Sequence, residues 1–411
     1  MISAAAGCAS PALETGDSQT FQGADEIRTV DQSIVKRQSI GNCWVYAVIG
    51  WVESLEKRET GVEQNYSESY ISYWHWFEQI TGGEVYGTEL QTGGHFSEGA
   101  DLLDNYGLMK EGDFIYGERK DEMSTRQKTA LAAIGDSLKN GALKTEEARR
   151  DRALVRAELD KAFGLTATMR RRLDATFGRD VSKTLKTGAT PAASARIVSP
   201  KNIAVATTRA SDGTVVHAKL SELIGQNGSG WWRSGPLAFT RVDMPSASSP
   251  ARMRAFWKRV QRSIHDQAPV VVEWYVDFNA LTSSAVFSKQ QLTARGPGNQ
   301  GGHMVVAHDY QARLADGTLY AAGVDVTDPA ALNSLLRDDT SIEFLRVKNS
   351  WGAYRPDRWI DAPIMGYHDL NRDYLEGDIK TCKELPSGGP DLTQCNGSRK
   401  GLSAVYLPAG Y

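Results

Sequence analysis

The sequence predicts an α+β fold: a mostly helical first part, a helical insertion and a strand-rich second part. Three observations carry this expectation. Val45, Val48, Ile49, Val52 and Leu55 recur at helical spacing. Residues 121–178 are dominated by Ala, Leu, Lys, Arg and Glu, the composition of amphipathic helices. Beyond residue 200 the apolar period shortens towards two, the period of a strand.

The elements follow in order. Residues 1–30 are small and polar and read as an N-terminal extension. Within them Ala5-Ala6-Gly7-Cys8 looks like the close of a bacterial lipoprotein signal, with an ordinary Ala-rich tail as the alternative. Residues 31–116 form a helical block. Its first helix runs from Cys43 to Glu59 and stops at Gly61; a second starts near Ser67-Glu68; a third covers 97–106, before Gly107. Residues 117–199 form an insertion, with helices at 127–138, 146–163 and 169–177 and a Thr/Ala/Ser/Lys-rich linker at 179–200. Residues 200–411 carry strands at 202–207, 270–276, 303–310, 319–326, 342–347 and 402–407, with a helix at 251–264. No repeat with a period of 20–50 residues is visible.

Composition bounds the function. At 411 residues, 41% apolar and 24% charged, the chain can bury a sizeable core, which excludes disorder throughout. A net charge of −3, from 47 basic and 50 acidic residues, gives no electrostatic reason to expect a nucleic acid or an anionic membrane as partner. The Arg149-Arg150 and Arg170-Arg171-Arg172 runs stand among acidic residues and read as solvated helix faces. No run of 18 apolar residues exists, so no transmembrane segment is expected. The four cysteines, Cys8, Cys43, Cys382 and Cys395, fit no zinc spacing, and no metal is expected. Cys382 and Cys395 flank a Pro- and Gly-rich loop able to close as a disulfide, which implies an oxidising compartment; two reduced thiols are the alternative.

The informative stretch is Gln38-Ser39-Ile40-Gly41-Asn42-Cys43-Trp44. A Cys where a loop turns into an apolar helix meets free N–H groups and the positive end of the dipole, which favour the reactive thiolate. Such a nucleophile needs a base, usually His, and a group that orients it. Gly301-Gly302-His303 places a His at a strand start, and Lys348-Asn349-Ser350-Trp351-Gly352 places an Asn at a strand end. His308 is the rival base; five residues along the same strand, it is expected on the opposite face.

Taken in this order, the Cys, Gly-Gly-His and Asn-Ser-Trp-Gly motifs resemble the papain-like cysteine peptidases. Gln91-Thr92-Gly93-Gly94, Gly107-Leu108-Met109 and the closing Gly401–Pro408 stretch resemble further parts of that family. The likeness covers roughly 31–115 and 250–411. It implies two lobes, a helical left lobe and an antiparallel, β-barrel-like right lobe, with the substrate cleft between them. It implies a catalytic set of Cys43 as nucleophile, His303 as base and then acid, Asn349 as orienting group and Gln38 as oxyanion donor. On the substrate side it implies Gly93, Gly94, Trp351 and Gly302, with Trp351 also covering the Asn349–His303 contact. It further implies a peptide or protein substrate and a reaction that needs neither metal nor cofactor.

Departures qualify the resemblance. The family's oxyanion Gln stands six residues before the Cys, where this chain has Arg37; Gln38 takes the role if the loop is one residue shorter. Asn42 replaces a small residue, and Gly302 stands where Asp or Asn is common. His303 lies 260 residues after Cys43, against about 130–150 in the family. Another insertion is expected near 327–339. Large insertions also resemble the bleomycin-hydrolase branch, an aminopeptidase whose C-terminal residues lie in the cleft. Only Ala409-Gly410-Tyr411 follow the final strand motif, which favours an endopeptidase. A non-catalytic peptide-binding relative and an acyltransferase stay open. The lean is to a bacterial envelope or secreted location, with the cytoplasm as alternative.

Overall fold

The computed structural model describes residues 30, 33–85, 87–120, 123–227, 233–246, 248–352, 362–385 and 389–411. The expected extension, apart from Val30, and the lipoprotein-like Cys8 lie outside the described residues.

Helix α1 (Cys43–Thr60) is buried on all sides from Cys43 to Leu55, which explains why its apolar residues exceed one stripe. It stops at Gly61, whose φ of 68° suits glycine. Helix α2 (Glu68–Gly82) starts where the Ser67 hydroxyl accepts from the Tyr70 N–H at 3.1 Å. Helix α3 is Phe96–Tyr106. The three share one apolar cluster, in which Trp74 and Tyr106 stack at 3.9 Å.

The insertion holds α4 (Thr125–Lys139), a short helix at Glu146–Arg150, α5 (Arg152–Ala162) and α6 (Ala167–Phe177). The single helix expected over 146–163 is thus two. Asp151 divides them, because its carboxylate caps α5 by accepting from the Leu154 N–H at 3.0 Å. Ile134, Leu138, Val155, Leu159 and Phe177 enter the same cluster as α1–α3. The Tyr73 hydroxyl of α2 donates to Asp160 at 2.7 Å. The insertion is therefore built into the core. The stretch expected as a linker is also packed: Val181, Ala189, Ala195 and Ile197 are buried, and Leu108 and Val198 exchange backbone hydrogen bonds at 2.9 and 2.8 Å.

Strands β1 (Ala204–Thr208) and β2 (Val215–Lys219) pair antiparallel, and Val205 joins the α1 cluster. The main sheet contains β3 (Thr240–Asp243), β4 (Val270–Asp277), β5 (Gln300–Arg313), β6 (Ser341–Lys348), β7 (Tyr367–Asn371) and β8 (Leu402–Leu407). Its order is β3-β8-β4-β5-β6-β7, with Val286–Phe287 added parallel to β7 and every other pair antiparallel. Helix α7 (Pro250–His265) precedes β4 and packs on the sheet's second cluster. The strand expected over 319–326 is only Leu319–Tyr320; the chain then turns, with Gly323 at φ 86° and its N–H held by the Asp309 carboxylate. Helix α8 (Pro329–Leu335) occupies the expected second insertion. Strands β4 and β5 separate two cores by alternation. Val271, Met304 and Val306 face the helical cluster, whereas Val270, Val272, Val305 and Ala307 face the other. Cys382 and Cys395 form a disulfide. Among the described residues no helix is long and apolar enough to cross a membrane.

A charged cluster lies inside the helical part. Lys36 is 5% exposed, and its ammonium donates to Glu68 at 2.7 Å and to the Tyr66 carbonyl at 2.8 Å, with Glu53 at 3.7 Å. Burial, opposed by Lys36, pushes the Glu68 carboxyl up to about 8. Burial likewise pushes Glu111 up to about 7. Two buried histidines shift the other way: burial lowers His265 to about 4 and His308 to about 3. Between about pH 4.5 and 6.5 the folded state keeps protons on the two carboxyls that the unfolded chain releases, and lacks protons on the two imidazoles that the unfolded chain binds. These effects oppose each other. Above about pH 6.5 only the carboxyl effect remains, and it destabilises. The expected result is a melting temperature nearly flat from about pH 5 to 6.5 that falls towards pH 8.5. A melting temperature still rising at pH 8.5 would refute this account.

Candidate active site

Cys43 opens α1 and is completely buried. The preceding Asn42 sets the loop: its amide donates to the Ser72 hydroxyl at 3.0 Å and to Gln127 of α4 at 2.8 Å. The insertion thus touches the residue beside the sulfur, a contact not legible in the sequence. Cys43 is disulfide-bonded in this structure.

His303 lies in β5. The backbone N–H of its neighbour Met304 donates to Cys43 Sγ at 3.3 Å, which brings this strand to the start of α1. His303 Nε2 donates to Asn349 Oδ1 at 2.8 Å. Trp351 stacks on the His303 ring at 4.7 Å and 19°, and Trp274 meets it edge-on at 5.8 Å. The contact between His303 and Asn349 is therefore roofed by aromatic surface and shielded from water. Asn349 follows the end of β6; its N–H donates to the Gly366 carbonyl at 3.0 Å, and its Oδ1 also accepts from the Ser350 N–H at 2.8 Å.

Gln38 reaches the same place from the chain before α1. Its N–H donates to the Ser350 carbonyl at 2.8 Å, and its side-chain carbonyl accepts from the Ser350 hydroxyl at 2.6 Å. Its Nε2 donates to the Ile40 carbonyl at 2.9 Å. Arg37 forms backbone bridges with Trp351 and Met123, and its carbonyl accepts from Tyr46 at 3.3 Å. Gly352 N–H donates to the Lys36 carbonyl at 3.0 Å, so residues 36–38 run stitched along 350–352.

The glycine pair lies beside Trp44, whose indole N–H donates to the Thr92 carbonyl at 2.9 Å. A Cβ on Gly94 would lie 2.6 Å from the Trp44 ring and 2.7 Å from Glu98, so only glycine fits. Gly302 pairs with Tyr275 of β4 directly before His303. His308 is elsewhere: Ala307 pairs with Val347 and Asp309 with Arg346, leaving His308 in a bulge where its Nδ1 donates to the Val30 carbonyl at 2.5 Å. His75 is packed in α2 against Trp44 and Glu98.

The structure thus brings Cys43, His303, Asn349, Gln38 and Trp351 to one region and places Gly94 beside Trp44 and Gly302 next to His303. Two neighbours were missed. Ser350 holds Gln38, and His368 of β7 faces Asn349 Nδ2 at 3.3 Å. The sequence contains no local signal for either partnership, since His368 arrives only through the β6–β7 pairing, opposite Val347.

No family model matches the chain, and no curated protein matches it. Among solved structures it is similar to PepW from Lactobacillus rhamnosis HN001, at 12% identity over 95% of this chain and 82% of that one, with a TM-score of 0.45. It is similar to the bromelain protease from Ananas comosus at 14% identity over 92% of this chain and 94% of that one, TM-score 0.32. It is also similar to xylellain, a cysteine protease from Xylella fastidiosa, at 11% identity over 98% of this chain and 95% of that one, TM-score 0.34.

Proposed function

We propose that this chain, which resembles the papain-like cysteine peptidases in motif order and fold, is itself a cysteine peptidase acting as an endopeptidase. The observation that supports the reading is the approach of β5 to Cys43 at the start of α1: the Met304 N–H reaches Cys43 Sγ at 3.3 Å, directly after His303, which Asn349 holds under Trp351. These groups are far apart in sequence and each has the chemistry the reaction needs.

The competent form is the reduced one. Once the Cys43 disulfide is opened, its thiolate attacks the scissile carbonyl carbon. The oxyanion is stabilised by the Cys43 N–H and by the second N–H of Gln38 Nε2. His303, oriented through Nε2 by Asn349, gives its proton to the departing amine and leaves a thioester on Cys43. Water, deprotonated by His303, then releases the acid and restores the thiolate. The Gly93-Gly94 segment offers backbone groups to an extended peptide. The Cys382–Cys395 bridge is compatible with an extracellular location.

The test is digestion of a diverse peptide mixture, with and without a dithiol, by wild type and Cys43→Ala, read by mass spectrometry. Internal cuts that need both the reductant and Cys43 are expected. Cuts that persist in Cys43→Ala, or no cuts by the reduced wild type, would sink the proposal. Stepwise loss of N-terminal residues would move it to an aminopeptidase. Products joined to an added amine would move it to an acyltransferase.

A further inference from the structure

The Asn349 side chain is nearly symmetric in shape, so its partners decide which end faces His303. Oδ1 accepts from His303 Nε2 and from the Ser350 N–H, both at 2.8 Å. Nδ2 faces His368 Nδ1 at 3.3 Å. Turned over, the amide would set its N–H groups against the Ser350 N–H and the His303 Nε2–H, and its oxygen against the His368 nitrogen. Donors would then oppose donors, and an acceptor would oppose an acceptor.

His368 is 4% exposed, with Trp351 edge-on at 5.2 Å and Phe287 at 6.0 Å. Packing alone in such surroundings would be met by an apolar ring. What the imidazole adds is an acceptor nitrogen aimed at Asn349. We propose that His368 is a positioning residue: through Nδ1 it accepts from Asn349 Nδ2 and so holds the amide with Oδ1 towards His303. In this role His368 carries its proton on Nε2. It does not touch the substrate; it acts on turnover through Asn349 and His303. This inference rests on the peptidase reading above.

Three variants separate the acceptor from the ring. His368→Phe keeps the volume and removes the acceptor. His368→Asn places an amide oxygen near the position of Nδ1, whereas His368→Gln places it nearer Nε2. Under reducing conditions, His368→Phe and His368→Gln are expected to lose about 10–100-fold in kcat, the usual loss for an outer hydrogen-bond partner, with KM changed by less than about threefold. His368→Asn is expected to recover most of kcat. Equal loss in His368→Asn and His368→Gln, a change confined to KM, or kcat within about twofold of wild type in His368→Gln would overturn the proposal. If His368→Phe does not fold, the comparison of Asn with Gln still decides.

A second readout does not need activity. The His303 Nε2–H proton resonance in NMR is expected in wild type and His368→Asn, and shifted or lost in His368→Gln. An unchanged resonance in His368→Gln would overturn the proposal. Cys43→Ala is assayed in parallel: if wild-type turnover does not depend on Cys43, the peptidase reading fails, while the resonance still reports on His368.

Discussion

His303→Ala is expected to lower kcat for peptide cleavage by about 10⁴–10⁶-fold, the loss seen when the base of a nucleophile–base pair is removed. None of His75, His308 and His368 can replace it. His308 is held in its bulge by the Val30 carbonyl, and His368 lies on the far side of Asn349. His75 is engaged by Glu98 at 2.6 Å and by the Gln91 carbonyl at 3.1 Å. The substitution leaves space beneath Trp351 but removes no contact between α1 and β5 apart from the imidazole itself. Folding should therefore survive, and a thermal melt run beside the kinetics checks it. The variant should also lose the fast alkylation of reduced Cys43 near pH 6, because the thiolate loses the imidazolium that stabilises it. A folded His303→Ala protein that keeps more than about a tenth of wild-type kcat would mean that His303 is not the base.

The largest expected effect on stability is that of Lys36→Met. Its ammonium is the buried cation among Glu53, Glu68 and Glu111. Above about pH 8, where Glu68 is ionised, removing Lys36 leaves a buried carboxylate unpaired, and breaking a buried pair in this way costs roughly 3–5 kcal/mol. The double variant Lys36→Met/Glu68→Gln should recover part of the loss, because it removes the charge left unpaired. Urea unfolding of wild type, both single variants and the double variant measures the coupling. A loss below about 1 kcal/mol for Lys36→Met at about pH 9, above the range in which Glu68 holds its proton, would overturn this account. Activity should fall as well, since Lys36 anchors the segment carrying Gln38, and its own carbonyl accepts from Gly352 at 3.0 Å.

Much of this protein was legible in its sequence because helices and strands are written locally. Helical spacing from Val45 to Leu55 and the Gly61 stop predict α1 closely, and alternation predicts β4, β5, β6 and β8. Errors arose where a single side chain overrode the pattern. Asp151 caps and divides one expected helix, and Gly323 turns the chain out of an expected strand. The residues of the centre were also recognisable, since the settings of Cys43, His303 and Asn349 each involve only a few neighbours in the chain.

What the tertiary structure alone decided is partnership. Ser350 meets Gln38 across 312 residues, Lys36 meets Glu68 across 32, and Gln127 of the insertion meets Asn42 across 85. His368 meets Asn349 only because β7 returns beside β6. Residue type and spacing act over a turn of helix or a pair of strand positions. Hydrogen-bond complementarity between distant segments depends on register and burial, which exist only once the sheet and the helical cluster have closed on each other.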